Sequence, residues 1–232
     1  MTKRVLVTGA ASGIGQAQMR AFCRAGYEVF AVDKAAIYNQ QDNLTTLQLD
    51  VTSDLETLFR EVSDVDIICN TAGILDGYKP LLEQTMEEME QLFAINLYAP
   101  AQIMRHYLPK MLLRQEGIII NMCSIASFLA GGGGASYTAS KHALAGLTKQ
   151  VALDYADKGI QVFGIAPGAV KTGMTASDFE PGGLADWVAQ ETPIKRWSLP
   201  EEIAELTLFL ASGKASSMQG EIVKIDGGWS LK

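Results

Sequence analysis

In the stretch ASYTASKHALAGL, residues 135–147, Tyr137 and Lys141 stand four residues apart. An isolated phenol titrates near about 10 and is a poor base at neutral pH. On a helix, positions i and i+4 share a face, so a Lys141 ammonium would favour the phenolate and bring Tyr137 into range for proton transfer. Such pairs are also ordinary on helix surfaces, so the chemistry rests on what else surrounds them. Glycines 131–134 precede the pair. They read equally as loop filler or as room left over a substrate by omitted side chains.

The elements that must position this pair follow from hydrophobic patterning. RVLVTG, EVFAVD, TTLQLDV, VDIICNTAG, GIIINMCS, QVFGIAPG and EIVKIDGG are short apolar runs, mostly continuous and rich in Val and Ile. Runs of that kind are strands buried on both faces of a parallel sheet. Amphipathic segments alternate with them. In SDLETLFREV, Ser53 and Glu56 have capping-box spacing. The long segment from MEEMEQLF to LLRQEG reads as two helices, or as one bent at Pro100 or Pro109. The alternation predicts an α/β fold, a doubly wound parallel sheet (Rossmann fold) of about seven strands with helices on both faces. No linker divides the chain, so residues 1–232 read as one domain. Residues 172–199 interrupt the alternation with Gly, Pro and aromatic residues at a strand's carboxyl end, and read as a substrate lid.

VLVTGAASGIG sets Gly9, Gly13 and Gly15 between the first strand and the first helix. There the backbone can turn tightly and approach a pyrophosphate, which the helix N-terminus attracts. The spacing departs from GxGxxG, so the turn alone is weak evidence. Asp33 ends the second strand about 20 residues on, where a carboxylate accepts from an adenosine ribose and repels a 2′-phosphate. NAD is therefore expected over NADP, with Lys34 as a partial offset.

Composition excludes other classes. The formal charge of −7 argues against a nucleic-acid partner. Cys23, Cys69 and Cys123 lie apart in apolar surroundings and, with His106 and His142, offer no metal-ligand spacing. The N-terminus reads directly as a first strand and no apolar run approaches a membrane span, so a cytoplasmic protein without a membrane partner is expected.

Taken in order, TGAASGIG, CNTAG, INLYAP, YTASK, APGAVKTGM and IDGGW resemble the motifs of the short-chain dehydrogenase/reductase family, from residue 8 to residue 229. That resemblance implies a catalytic set of Asn96, Ser124, Tyr137 and Lys141. Ser124 would orient the substrate oxygen, Lys141 would also hold the nicotinamide ribose, and Asn96 would hold a water linking Lys141 to solvent. It further implies that Ser12 and Ile14 lie on the cofactor, and Asp50 and Val51 beside the adenine. Asn70, Ala72 and Gly73 would follow along the ribose, with Pro167, Gly168 and Val170 past the nicotinamide and Thr172 holding its carboxamide. Two departures stand out. Thr71 replaces the second Asn of the family's NNAG element, which would weaken a strand-to-strand hydrogen bond. Only 16 residues separate Asp33 from Asp50, so the helix usual there would be shortened or lost, as in dihydrodiol-oxidising members.

The implied activity is NAD(H)-linked interconversion of a secondary alcohol and a ketone. A 3-oxoacyl-carrier-protein reductase-like substrate, or a cyclic diol, polyol or sugar, is compatible with it. A non-catalytic dinucleotide sensor is the competing class. Arg105, Lys110 and Arg114 are candidates for a basic patch toward a carrier protein, or for a solvated face. In the lid, Met174, Phe179, Leu184 and Trp187 either form an apolar pocket or pack the lid onto the body. The resemblance also implies a homotetramer through the 99–116 and 138–158 helices and the C-terminal strand region.

Overall fold

The computed structural model describes residues 2–231. Seven strands form the sheet: β1 (Arg4–Thr8), β2 (Glu28–Asp33), β3 (Leu44–Gln48), β4 (Ile67–Asn70), β5 (Gly117–Met122), β6 (Ile160–Pro167) and β7 (Ile222–Ile225). They run in the order β3-β2-β1-β4-β5-β6-β7, parallel throughout.

Side chains alternate across each strand, so a continuous apolar run feeds two cores at once. Val5, Val7, Ile118 and Ile120 meet Met19 and Phe22 of α1 (Gly13–Arg24) and Ile203 and Leu210 of α7 (Pro200–Ala211). Leu6 and Ile119, between them in sequence, face the other way. They pack with Leu58 of α2 (Leu55–Glu61), with Ile103 and Tyr107 of α4 (Ala99–Arg114), and with Val151 of α5 (Ala135–Tyr155). The helix α3 (Met86–Phe93) precedes α4, and α6 (Ala185–Glu191) lies between β6 and α7.

The chain winds outward from β1 in both directions, which opens a crevice at the carboxyl ends of β1 and β4. Thr8 stitches those ends together. Its Oγ1 accepts from the N–H groups of Thr71 (3.0 Å) and Ala72 (3.1 Å).

The structure decides three local expectations. The 86–114 segment holds two helices, as the first of its two readings had it, and they meet at a π-helical turn, Ala94–Tyr98, with neither proline making the break. Pro100 sits in the first turn of α4, where its missing N–H is not needed, and Pro109 lies inside α4 without ending it. The Ser53/Glu56 capping box does not form. The Ser53 N–H closes a turn onto the Asp50 carbonyl, and the Asp54 carboxylate accepts the Asp50 N–H at 2.9 Å, so α2 starts only at Leu55. Between β2 and β3 the chain carries no helix, as the short Asp33–Asp50 spacing requires.

Candidate active site

Tyr137 and Lys141 lie in the first two turns of α5, on the face that also buries Ser140 and Leu144. The Lys141 Nζ sits 5.6 Å from the Tyr137 ring centre and donates to the Met122 carbonyl at 2.7 Å. Both side chains are nearly closed off, at 9% and 4% exposure. Burial sets the direction at both groups, and at Tyr137 that direction is opposite to the expected lowering of the phenol by its lysine. Tyr137 is pushed up to about 12 by burial, against a hydrogen bond with Ser124 that lowers it. The same burial pulls Lys141 down to about 8, with Cys123 acting the other way. At neutral pH the resting site holds a protonated phenol beside an ammonium. Ser124 ends the extended backbone after β5, and its Oγ accepts from the Ala126 N–H at 3.1 Å.

The residue that aims Tyr137 went unrecognised in the sequence. Asp76, in the loop after β4, caps α5 from outside the helix. Its carboxylate accepts from the N–H groups of Gly134 (2.7 Å) and Tyr137 (2.9 Å), from Ser136 Oγ (3.1 Å) and from Gln84 Nε2 (3.0 Å). Burial alone would raise this carboxyl; the Tyr137, Gly134, Ser136 and Gln84 donors together hold it below the usual range. A cap from a distant loop has no local spacing, so only the tertiary fold reveals it. The same contacts explain half of the glycine run. A Cβ on Gly133 would sit 2.4 Å from Cδ1 of Tyr137, and one on Gly134 would sit 2.6 Å from Oδ2 of Asp76. These glycines make room for the tyrosine and its cap, a third reading beyond loop filler and substrate space.

Asn96 lies in the π-helical turn and is fully buried. Its side chain pairs with both backbone groups of one residue, accepting from the Ile74 N–H (2.9 Å) and donating to the Ile74 carbonyl (3.0 Å). The turn thereby fastens the β4 loop that carries Asp76. A π-turn at such a position is typical of functional sites. Nearby, Thr71 donates to Gln18 Oε1 at 2.6 Å, and Gln18 donates to Thr207 at 2.9 Å, joining β4 to α1 and α7. The strand-to-strand bond expected to weaken is carried by Asn70, which donates to Asn121 Oδ1 at 2.8 Å. Asn121 in turn donates to Thr148 at 2.9 Å.

A cleft of about 790 Å³ runs over the carboxyl ends of the strands. Of the catalytic and dinucleotide-binding candidates named from the sequence, all line it except Asn70 and Asn96, which stand behind its wall. Asn70 is held inward by Asn121, and Asn96 by Ile74, so neither reaches the cleft surface.

The cleft's other end suits a dinucleotide. Gly9 has φ +72°, and a Cβ on Gly15 would sit 2.1 Å from the Gly9 carbonyl oxygen, so the turn over the α1 N-terminus is closed to side chains. That leaves bare N–H groups for a pyrophosphate. Thr172 packs over the same turn, and Pro167, Gly168 and Val170 continue the wall. Asp33 is both cleft wall and turn brace, its carboxylate accepting from the Ala11 N–H (3.0 Å) and the Ala35 N–H (2.9 Å). Asp50 faces the same end. Hydrogen bonds from Thr52 hold its carboxyl below the usual range, and Lys34 adds a smaller pull.

The excursion 172–199 divides its apolar residues. Met174, Leu184 and Trp187 line the cleft, whereas Phe179 packs on Trp197 at 4.9 Å and under Lys171. None of the basic residues proposed for a carrier protein, Arg105, Lys110 and Arg114, lines the cleft, and two of them are held on its far side. Arg114 is paired with Asp64 at 2.9 Å and also bonded to the Val65 carbonyl, while Lys110 donates to the Ser63 carbonyl. Residues 63–65 precede β4, at the amino end of the sheet and opposite the cleft.

A sequence profile described as "Enoyl-(Acyl carrier protein) reductase" matches residues 9–230. The chain is 35% identical to 3beta-hydroxysteroid dehydrogenase 2 of Eggerthella lenta, over 97% of this chain and 94% of that protein. It is 33% identical to gluconate 5-dehydrogenase of Gluconobacter oxydans, over 97% and 93%. Among solved structures, 4-hydroxyisoleucine dehydrogenase complexed with NADH superposes with a TM-score of 0.93 at 30% identity, covering 100% of both chains. ElxO with NADP bound superposes at 0.90 with 26% identity, also over 100% of both. With the profile spanning nearly all of the sequence and the fold shared end to end, the chain belongs to the short-chain dehydrogenase/reductase family, as an oxidoreductase acting on a CH–OH group.

Proposed function

We propose that the cleft binds NAD(H) and that Tyr137 is the proton-transfer group in the interconversion of a secondary alcohol and a ketone. One observation carries this reading. A buried tyrosine and lysine share a helix face beside Ser124, in the same cleft as a glycine turn built for a pyrophosphate. When bound, the dinucleotide supplies the hydride acceptor or donor. In reduction, the resting protonated Tyr137 gives its proton to the carbonyl oxygen as that oxygen gains charge. In oxidation, the phenolate takes the alcohol proton. The Ser124 hydroxyl holds the same oxygen and so fixes which face of the carbon is presented. The Lys141 ammonium, anchored on the Met122 carbonyl, supplies positive charge in a site with little water and favours the phenolate. Asn96 acts through Ile74 as a positioning residue, and Asp76 acts through the first turn of α5.

The preference for NAD over NADP is supported by the Asp33 carboxylate on the cleft wall, and Lys34 is partly answered by Asp50. Residues 172–199 act as the lid, a reading supported by the cleft-facing Met174, Leu184 and Trp187. A homotetramer is supported by the large exposed leucines Leu113 on α4 and Leu153 on α5. A cytoplasmic location fits three buried free cysteines, and among the described residues no helix is long and apolar enough to cross a membrane.

Tyr137→Phe is expected to lower turnover about 10²–10⁴-fold while NADH affinity stays within a few-fold; unchanged turnover would sink the mechanism. In the wild type, oxidation should speed up as pH rises, because the raised phenol must lose its proton to act as acceptor. A rate of oxidation that falls on going from neutral to mildly alkaline pH contradicts that sign. Fluorescence titration should give NADH binding tighter than NADPH by about tenfold or more, with Asp33→Asn narrowing the gap; an NADPH preference overturns the cofactor assignment. Asp76→Ala should cut kcat about 10- to 100-fold with dinucleotide affinity little changed, and Asp76→Asn should recover part of the loss. Equal losses in kcat and dinucleotide affinity would mean a general structural role instead. Sedimentation equilibrium should return four chains of 25.0 kDa, and a monomer rejects the tetramer.

A further inference from the structure

We propose that the substrate is a neutral alcohol or ketone on a bulky, ring-sized apolar body, and that the site rejects substrates with an anionic group near the reacting carbon. This rests on the dehydrogenase reading above.

Two sets of side chains carry it. The first is apolar. The chain has three tryptophans, Trp187, Trp197 and Trp229, and all of them line the cleft. Trp187 and Trp229 meet edge to face, with ring centres 6.1 Å apart. Met174, Leu184 and Trp187 stay about half exposed on the cleft side of the lid. Large apolar side chains left open around a cleft gain most from an apolar occupant that displaces water from them. A flat or ring-shaped body offers the faces and edges that indole rings pack against.

The second set is charge. Among the described residues the cleft lining carries two cations, Lys34 and Lys141. Lys34 follows Asp33 at the dinucleotide end and acts on Asp50 there. Lys141 is buried and donates to the Met122 carbonyl. The cations of the lid and its base are engaged elsewhere. Lys171 lies over the Phe179 ring at 4.8 Å, Lys195 donates to the Gln190 carbonyl at 2.5 Å, and Arg196 pairs with Glu202 through contacts of 2.7 and 2.8 Å. The charged side chain that the lid gives to the cleft is Asp178. It lies within electrostatic reach of Tyr78, and Tyr78 of Tyr137. A substrate carboxylate or phosphate beside Tyr137 would be stripped of water and face Asp178. Among the described residues it would find Lys141 as the one cation at that end of the cleft, already held by the Met122 carbonyl and serving the phenol. A neutral group escapes that penalty.

A matched pair isolates the charge: methyl 4-hydroxycyclohexanecarboxylate and its free carboxylate share a ring and a reacting carbon. With NAD, the ester should show kcat/KM at least about tenfold above the acid, and Asp178→Asn should narrow that ratio several-fold. Tryptophan fluorescence of the NADH-loaded protein gives a readout independent of turnover, since all three indoles line the cleft; the ester should quench at lower concentration than the acid. Equal use of the two, or a preference for the acid in rate or quenching, overturns the substrate class and leaves the dehydrogenase reading standing. Preferential quenching by the ester without turnover of either compound supports the neutral pocket and counts against the dehydrogenase reading. No turnover and no difference in quenching overturns the substrate class.

Discussion

The N-terminal turn of α5 has N–H groups that its own helix cannot satisfy, and the carboxylate of Asp76 accepts two of them. The rest of the site depends on that interaction. Tyr137 is the third residue of the helix, so whatever fixes the first turn also fixes the phenol. The carboxylate also holds Ser136 and Gln84, and a negative charge at a helix N-terminus is favoured by the helix dipole. Its loop is fastened by Asn96, which grips both backbone groups of Ile74 two residues before Asp76. Four segments distant in sequence thus converge on the orientation of one ring.

Holding the ring rigidly has an electrostatic cost. Enclosure pushes Tyr137 up to about 12 and Lys141 down to about 8, moving each toward its neutral form. The Ser124 hydrogen bond works against the first shift, and the Met122 carbonyl gives the ammonium a partner. A protonated phenol is the form a carbonyl reduction uses, whereas alcohol oxidation has to ionise it. The same closure excludes water, which strengthens every charge interaction within the cleft. It is also what makes an uncompensated substrate anion costly there.

Behind the cleft wall, two buried polar chains hold the sheet and helices in register. Asn70, Asn121 and Thr148 link β4, β5 and α5, while Thr71, Gln18 and Thr207 link β4, α1 and α7. The threonine at position 71 does not leave a gap where an asparagine is usual. It turns toward α1, and its neighbour makes the inter-strand bond. Both chains lie next to the switch point, where β1 and β4 part and where Thr8 bridges their ends.

The alternation of apolar runs with amphipathic segments was enough for the sheet, because a parallel strand buried on both faces must be apolar throughout. Tyr137, Lys141, the glycine turn and Asp33 stood out by residue type and local spacing, and Ser124 by the family resemblance; the fold brings all of them to one cleft. Local spacing misled where a nearby group competed, as with Asp54 at the start of α2 and the π-turn that displaced the break from the prolines. It was silent on the Asp76 cap and on the purpose of Gly134, because those contacts join residues about 60 positions apart. Gly133 lies only four residues from Tyr137, and there the direction of the ring, set by the fold, decides what fits. The ionisation of Tyr137 also lay outside its reach, since spacing reports the lysine but not the depth of burial. The sequence by itself determined the order of elements and which residues have the right chemistry. Only the tertiary structure decided how those residues are aimed, protonated and surrounded, because long-range contacts and exclusion of water belong to the fold.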